Sequence, residues 1–332
     1  MDTILLILGG LGLFLFAISH LSETLKDLLG KRAKSLLERF TRNDFSAIVT
    51  GVIVTLILDS SSAVIILTIV LINAGAFSFR QAIGIVLGAN IGTTFSSQLI
   101  ALDIGKFSPI TIVAGLLLVF FSRAEWISKT GRAIIYFGIL FFGLYTMERA
   151  VEPLKNHPGF MNWMLNLESP LKGAGTGALA TVIIQSSSAT VGMAITLAKK
   201  GLISLPAGIA VMLGAELGTC ADTLLATFKT NRQALKTGLF HFGFNCCSIL
   251  LGILFFHWFV QLIQAISGNT SLEQKLANAH MLFNGLGVLF FLPFIRPIES
   301  LLNRMIPDKL PDTKQPGSMI PRSVEKTSVD ML

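Results

Sequence analysis

Long apolar segments alternate with short polar stretches along the whole chain. The first apolar segment covers about 4–19, and a basic stretch with leucines at helical spacing follows over about 23–43. The later apolar segments cover about 46–74, 81–102, 109–121, 133–146, 173–198, 207–228, 239–266 and 276–294. Such runs predict an all-α integral membrane protein. We expect the basic stretch to form a separate interfacial helix on the cytoplasmic side.

One apolar segment has polar residues at its centre. Within 46–74, an acid and three serines lie at Asp59–Ser62. The 29 residues of this segment would form a helix of about 43 Å, whereas a bilayer core is about 30 Å thick. A polar break at membrane depth is tolerated where it faces protein or a water-filled cavity. We therefore expect a re-entrant helical hairpin with its tip at the serines; a tilted full crossing is the alternative.

The sequence contains an internal repeat. A shift of 126 residues aligns the two halves of the chain without a gap. The motif Ser-Ser-Ser-Ala at Ser60–Ala63 then falls on Ser186–Ala189, and Gly-Ala-x-x-Gly-Thr at Gly88–Thr93 falls on Gly214–Thr219. Chance similarity of composition would not place both motifs twice at the same spacing. Internal repeats in a helical membrane protein are typical of transporters.

The repeat predicts the organisation of the chain. Repeat one covers about 9–122, repeat two covers about 135–248, and extra helices cover about 249–295. A hairpin gives each repeat three crossings and therefore inverted topology, which we expect. A tilted crossing gives four crossings and parallel repeats, and the basic residues of the loops do not decide between the two. All of these helices form one transmembrane domain over 1–306, and a disordered cytoplasmic tail follows over 307–332.

The composition supports a membrane protein and restricts its partners. The chain of 332 residues is 52% hydrophobic and 14% charged, with a mean hydropathy of +0.70. Basic cytoplasmic loops explain the net charge of +7, so we expect no nucleic-acid partner. The three cysteines have neither disulfide nor metal-ligand spacing, and we expect no cofactor and no transition-metal site. The chain has no nucleophile elbow and no P-loop, so neither an enzyme nor an ATP-driven pump is expected.

The expected location is the plasma or inner membrane, which the chain crosses several times. Because the first segment lacks a basic n-region and a small-residue cleavage site, we interpret it as a retained helix and not as a signal peptide. We expect the N-terminus outside and the C-terminus in the cytoplasm. The oligomeric state cannot be read from the sequence.

The polar breaks predict a site for ions. Where a helix restarts inside the membrane, its first N–H groups and the positive end of its dipole point into the cavity, and serine hydroxyls beside them suit an oxyanion. Unwound carbonyls and the carboxylate of Asp59 suit a sodium ion, which would also compensate the buried acid. Two such tips, one from each repeat, would face each other near the middle of the membrane.

The Gly-Ala-x-x-Gly-Thr elements add oxygen ligands and two more acids. We expect the substrate to be bound by Ser60, Ser61, Ser62, Asn90, Thr93, Gln185, Ser186, Ser187 and Ser188. We expect the cation to be bound by Asp59, Thr94, Glu216, Thr219 and Asp222. In the alternative interpretation, the serine triplets are polar contacts between packed helices and the glycine spacing reflects close helix packing.

A third motif places histidine and asparagine four residues apart on one helix face. It occurs at His241 and Asn245 and again at His280 and Asn284. These pairs suit a proton relay or the lining of a cation site. We favour the alternative, in which they form hydrogen bonds between helices.

At these residues the chain resembles the sodium–phosphate cotransporter family. That family carries two Gln-Ser-Ser-Ser motifs, each followed by a Gly-x-Asn-Ile-Gly-Thr-Thr segment, in inverted repeats. Gln185–Ser188 and Gly88–Thr94 match these motifs, and the resemblance covers about 9–295. It implies sodium-driven symport of inorganic phosphate, with the serine motifs forming the substrate and sodium sites. The chain departs from the family at Asp59, Glu216 and Cys220, where the family has Gln, Asn and Thr.

Three functional hypotheses follow. The first is sodium-coupled symport of inorganic phosphate, with sodium and phosphate as partners in the bilayer. The second keeps the fold but changes the coupling or the load, as in a proton-coupled carrier, a phosphate exporter or a carrier of another anion. The acids at Asp59 and Glu216 motivate it, because a fixed negative charge beside phosphate weakens binding unless a cation compensates it. The third is a membrane scaffold or regulatory protein that does not transport.

Overall fold

The computed structural model describes residues 2–41, 43–102, 105–228 and 230–307. Within these ranges the chain forms fifteen α-helices and no β-strand. The helices are α1 Asp2–Phe40, α2 Asp44–Leu58, α3 Ser61–Asn73, α4 Phe79–Ala101, α5 Ser108–Phe121, α6 Glu125–Val151, α7 Pro158–Asn166, α8 Pro170–Ile184, α9 Ser187–Lys199, α10 Leu205–Gly218, α11 Cys220–Ala226, α12 Arg232–Leu254, α13 Phe256–Ser267, α14 Leu272–Phe291 and α15 Ile295–Met305. Short 3-10 helices cover Gly105–Phe107, Glu152–Asn156 and Leu292–Phe294.

Six stretches of the described chain are long and apolar enough to cross a membrane. They are Ile4–Leu25, Phe79–Ala101, Glu125–Leu154, Leu205–Ala226, Arg232–Leu254 and Leu272–Met305. Shorter apolar helical stretches cover Asp44–Leu58, Ser61–Asn73, Gly105–Phe121 and Pro170–Ile184. The prediction of an all-helical membrane protein is therefore confirmed.

Two apolar segments are broken at equivalent positions of the repeat. Asp59 follows α2 with φ 50°, and Gln185 follows α8 with φ 58°. They are the only non-glycine residues with positive φ in the described chain. A single left-handed residue ends a helix and turns the chain sharply. The helices after the breaks have 13 residues each, about 20 Å, which is shorter than a bilayer core of about 30 Å.

The first helix of each broken segment packs closely on the long helix that follows. Helix α2 packs on α4, and α8 packs on α10. A Cβ atom added at Gly88 would lie 2.0 Å from the carbonyl oxygen of Ile48, and one added at Gly214 would lie 1.8 Å from that of Ala174. The shift of 126 residues relates these two contacts. The glycine spacing therefore serves backbone-to-backbone packing within each half.

The second helix of each broken segment packs on its own half and also reaches the opposite half. Helix α3 packs on α4 and also lies against α11 and α12, whereas α9 packs on α10 and also lies against α4 and α14. Helices α1, α5 and α6 form a bundle of their own that contacts the rest through α2 and α9. Both helix breaks lie beside α1.

The structure corrects the expectation of a separate interfacial helix over 23–43. Helix α1 runs without interruption over 39 residues, about 58 Å, so the apolar and basic parts form one rod. Neither proline nor glycine lies between Phe16 and Leu29, and polar helix formers such as Glu23 do not end a helix.

Two further boundaries differ from the expected ones. The stretch 148–172, expected from its polar residues to be a connection, contains the end of α6 and all of α7. The apolar segment 239–266 divides into α12 and α13 at Phe255. The predicted disordered tail over 307–332 lies outside the described residues, apart from Pro307.

The glycine contacts predict different costs for one added methyl group. Gly214→Ala should destabilise the protein by about 1–3 kcal/mol, because the methyl group would overlap the backbone of α8. Gly175→Ala on α8 is the matched control, since nothing lies within 4 Å of its added Cβ. Alanine is the better helix former by about 1 kcal/mol, so the control should keep or gain stability. Thermal unfolding in detergent measures both, and equal melting temperatures would contradict the packing described here.

Candidate functional site

One cavity brings the two helix breaks together. Its volume is about 280 Å³. Asp59 and Ser60 line it from the first break, and Gln185 and Ser186 line it from the second. The remaining lining residues are Leu15, Ile18, Ser19, Glu23 and Ile184. Residues that are 126 positions apart in sequence thus share one cavity, which α1 covers on one side.

The start of a helix lies beside the cavity at each break. Ser60 Oγ accepts a hydrogen bond from the Ala63 N–H at 3.2 Å, and Ser186 Oγ accepts one from the Ala189 N–H at 3.1 Å. These serines are therefore the N-caps of α3 and α9. The next two N–H groups of each helix have no partner within the helix. They and the positive ends of two helix dipoles lie next to the cavity and suit an anion.

The other serines of the two triplets belong to the first turns of α3 and α9. Ser61, Ser187 and Ser188 are buried, and Ser62 is half-buried. Their side chains are not among those that line the cavity. Of the six serines in the two triplets, only the N-caps Ser60 and Ser186 therefore line the cavity.

Asp59 is held by a serine on α4. Ser96 Oγ donates a hydrogen bond to Asp59 Oδ1. The repeat places Asp222 at the position of Ser96, and Gln185 at that of Asp59. Asp222 is half-buried on α11 and makes no hydrogen bond or ion pair with any residue that the structure describes. Each repeat thus has one carboxylate at these two equivalent positions. In repeat one it is Asp59 at the break, and in repeat two it is Asp222 on α11.

A buried hydroxyl beside the first break has no partner. Thr55 lies one turn before Asp59 on α2, is 1% exposed, and its Oγ1 makes no hydrogen bond. In repeat two the equivalent Thr181 donates to Thr190 Oγ1 at 2.9 Å. Repeat one has Val64 at the position of Thr190. The first break therefore carries a free oxygen atom that the second does not.

The expected ligands on α4 and α10 lie elsewhere. Asn90 Nδ2 donates to the Val86 carbonyl at 2.9 Å, and Thr93 Oγ1 donates to that of Ala89 at 3.0 Å. Thr94 and Thr219 likewise bond carbonyls of their own helices. None of the four lines the cavity between the breaks. That these four residues bind substrate or cation remains a prediction, because the structure does not place them at this cavity.

Glu216 is engaged by a histidine from the extra helices. His280 Nε2 lies 2.8 Å from Glu216 Oε1, and His280 Nδ1 lies 2.7 Å from Ser97 Oγ. All three residues are buried, with His280 fully so. The imidazole thus bridges α4 of repeat one and α10 of repeat two. Glu216 does not line the cavity, so the partner of its carboxyl group is His280 and not a cation bound between the breaks.

The second histidine makes the equivalent contact in the other half. His241 Nδ1 lies 2.8 Å from Thr223 Oγ1, and Asn245 Nδ2 donates to His241 Nε2 at 3.1 Å. The repeat relates Thr223 to Ser97, which bonds His280. Both histidines therefore form hydrogen bonds between helices, as we favoured from the sequence.

Some residues of the site were not predicted from the sequence. Ser96, Ser97 and Thr55 carry hydrogen-bonding groups next to predicted residues, yet none belongs to the two motifs. The repeat contained the signal, because the shift aligns Ser96 with Asp222 and pairs Ser97 with a second hydroxyl residue. Comparing polar positions over the full length of the repeat would have found them.

Among the described residues, no group of three or more His, Cys, Asp or Glu side chains is placed to hold a metal ion. The oxygen atoms at the breaks instead suit an alkali cation held partly by backbone carbonyls.

The amino-acid sequence is similar to those of several bacterial and animal proteins. It is 27% identical over 317 residues to the Bacillus subtilis (strain 168) protein named "Uncharacterized protein YqeW", covering 92% of this chain and 100% of that protein. It is 26% identical to the Escherichia coli (strain K12) protein named "Putative inorganic phosphate export protein YjbB", covering 93% of this chain but only 57% of that protein.

The human protein named "Sodium-dependent phosphate transport protein 2B" is 31% identical over 132 residues, or 36% of this chain and 19% of that protein. No solved structure matches the chain. The model of the Na+/Pi-cotransporter family matches residues 13–149 and 159–292, which include both helix breaks, both long glycine-containing helices and both histidine helices. The chain belongs to the Na+/Pi-cotransporter family.

Proposed function

We propose that this protein is a secondary active transporter that moves inorganic phosphate together with sodium, and that the cavity between the two helix breaks is its substrate site. The observation that carries the proposal is the shared cavity, in which two capped helix starts and a carboxylate meet. Family membership and the phosphate-related names of two relatives agree with it.

Phosphate suits the helix starts because its oxygens accept hydrogen bonds from backbone N–H groups. Each helix dipole stabilises an anion at its N-terminus by about 0.3–1 kcal/mol, and by more where water is excluded. Two helix starts at one cavity double this contribution. Gln185 adds an amide that can donate to a further phosphate oxygen.

Sodium is the natural companion of phosphate in this cavity. Asp59 places a negative charge beside the proposed anion, and the resulting repulsion must be offset. The Asp59 carboxylate and backbone carbonyls are oxygen ligands of the kind that a hard cation prefers. The unbonded Thr55 Oγ1 lies one turn before Asp59 on α2, outside the lining of the cavity. Asp222 occupies the equivalent neighbourhood in repeat two and is our candidate for a second cation ligand.

We further propose that the two repeats are inverted and that the broken segments are re-entrant hairpins. Helices α12 and α14 support this, because their contacts run in opposite directions. Phe244 packs edge-to-face on Phe291 with ring centroids 4.9 Å apart, whereas a Cβ atom added at Gly252 would lie 3.1 Å from Phe283. The later residue of α12, Gly252, thus contacts the earlier residue of α14, Phe283, so the two helices are antiparallel.

The histidines of these two helices make equivalent contacts in the two halves. His280 of α14 bonds Ser97, and His241 of α12 bonds the equivalent residue Thr223. Both helices are long enough to cross a membrane. Antiparallel helices that contact equivalent positions of the two halves agree with inverted repeats.

Phosphate export is the second candidate, because the Escherichia coli relative is named for it. The cavity and its ligands would be the same, and the ion gradients and the coupling would set the direction. Phosphate transport should therefore be measured with the sodium gradient directed inward and with it directed outward.

Removing both cap hydroxyls should weaken phosphate binding. The double variant Ser60→Ala and Ser186→Ala should raise the KM for phosphate at least about tenfold, equivalent to about 1.4 kcal/mol. The measurement is uptake of labelled phosphate into proteoliposomes under a sodium gradient of either direction. Ser204→Ala is the control, because Ser204 caps α10 in the same way but does not line the cavity. Phosphate uptake by the wild type that does not depend on sodium would contradict the proposed coupling to sodium. Absence of phosphate transport by the wild type would contradict the proposed function as a whole.

Neutralising Asp59 should weaken sodium binding more than phosphate binding. Asp59→Gln restores the residue that the second break carries at this position and should raise the sodium concentration for half-maximal uptake several-fold. Asp44→Asn is the control, since Asp44 forms an ion pair with Arg80 away from the cavity. An unchanged sodium dependence of Asp59→Gln would show that its carboxylate is not a cation ligand.

Inverted repeats predict opposite accessibility of equivalent residues. Ser78 and Ser204 are N-caps at the starts of α4 and α10, related by the repeat. In a background with Cys220, Cys246 and Cys247 replaced, Ser78→Cys and Ser204→Cys should react with an impermeant thiol reagent from opposite sides of the membrane. Reaction of both from one side would support parallel repeats.

A further inference from the structure

A buried acid and a buried histidine lie outside the cavity and take no part in the proposed substrate site. His280 Nε2 lies 2.8 Å from Glu216 Oε1, and the two side chains are 0% and 4% exposed. Glu216 occupies the position that Asn90 occupies in repeat one. Since the amide of Asn90 fills this position in repeat one, packing alone does not require an acid in repeat two. We therefore looked for a function of the Glu216 carboxyl group.

The pair can avoid net charge only by keeping one proton. With one proton it is either a carboxylate beside an imidazolium or a carboxylic acid beside an imidazole, and both forms are neutral overall. Without that proton the pair carries a charge of minus one inside the protein, which costs several kcal/mol. Burial therefore favours the forms of the pair that keep one proton.

The surroundings of His280 accept either protonation state. Ser97 Oγ can donate to Nδ1 of a neutral ring or accept from Nδ1–H of a charged one, because a hydroxyl does both. His241 differs. Asn245 donates to its Nε2, and Thr223 Oγ1 donates to the Cys220 carbonyl and therefore accepts from its Nδ1–H. The hydrogen bonds of His241 thus require the neutral ring.

The elements packed around the pair bring few other charges to it. Helix α11 brings Cys220 and Asp222. Helix α12 brings His241, Lys236, whose Nζ donates to Asn303 Oδ1 at 2.6 Å, and Arg232, which donates to the Pro307 carbonyl. Cys246 and Cys247 of α12 are only partly buried or exposed. The charged or titratable groups of α4, α8, α9 and α13 bond elsewhere or are exposed: Arg80 with Asp44, Lys199 and Lys200 with Glu148, His257 with Gln261, and Lys172 at the surface. Glu273 and Lys275 lie at the start of α14, more than one turn before His280.

The pair is placed where movement of the second tip would disturb it. Helix α14, which carries His280, packs on α9, whose first residues form that tip. Helix α9 also packs on α4, which carries Ser97. A displacement of α9 during transport would therefore change the contacts of His280 with α4 and α10, and with them its access to water.

From this geometry we propose that Glu216 and His280 form a proton site that takes up and releases one proton in each transport cycle, apart from the cavity that holds phosphate and sodium. This rests on the proposed transport function. The proton enters from water on one side of the membrane, is shared between Glu216 Oε1 and His280 Nε2 while the pair is buried, and leaves to water on the other side. No bond other than those to the proton forms or breaks.

The experiment counts protons per phosphate in proteoliposomes. Labelled phosphate and an internal pH dye are followed together at one pH under a sodium gradient, for the wild type, Glu216→Gln, His280→Gln and His241→Gln. Phosphate carries the same protons of its own in every sample, so differences between samples come from the protein. Glu216→Gln and His280→Gln should each move about one proton fewer per phosphate than the wild type, and His241→Gln should keep the wild-type count.

Equal counts in all four proteins overturn this proposal and leave the proposed function intact. No phosphate movement by the wild type overturns both. Should the glutamine variants fail to fold, the wild type in lipid nanodiscs decides by nitrogen-15 NMR of the ring of His280. Its protonation state should change when sodium and phosphate are added, and an unchanged signal overturns the proposal.

Discussion

The structure depends on one constraint, the fate of backbone groups where a helix breaks within an apolar segment. A left-handed residue ends α2 and α8, and each following helix begins with N–H groups that no helical carbonyl can reach. In lipid such groups would cost several kcal/mol each, so both breaks must face protein or a cavity. The packing meets this requirement by bringing both breaks to one cavity beside α1. The repeat, the glycine contacts and the crossing of each second helix to the opposite half all serve that placement.

Much of this arrangement follows from the sequence. Hydrophobic runs located the long helices, and the polar centre at Asp59–Ser62 located the first break, because a helix too long for one crossing must bend where its side chains are polar. The shift of 126 residues transferred the break to Gln185. Other boundaries did not follow. Nothing in the pattern separates one long rod from two helices at Ser19, and the split at Phe255 lies inside an apolar run with no local breaker.

The site was harder to predict than the fold, since hydrogen bonds depend on facing surfaces that sequence spacing does not give. The tip residues were found because they interrupt an apolar segment. Asn90 and Thr93 were grouped with them by composition, yet their side chains bond their own helix. Glu216 was grouped with the cation ligands because it is an acid, whereas the fold places it against His280, 64 residues further along the chain. Only the tertiary structure distinguishes an acid facing the cavity from one paired behind it.

The central claim is that both breaks contact one bound anion. Its most direct test is the labelling rate of Ser60→Cys and Ser186→Cys by a small water-soluble thiol reagent, each in a background without the native cysteines. Phosphate with sodium should slow the labelling of both residues, because one anion occupies the space in front of both. Protection of only one residue, or labelling that phosphate does not change, would contradict a shared site at the two breaks.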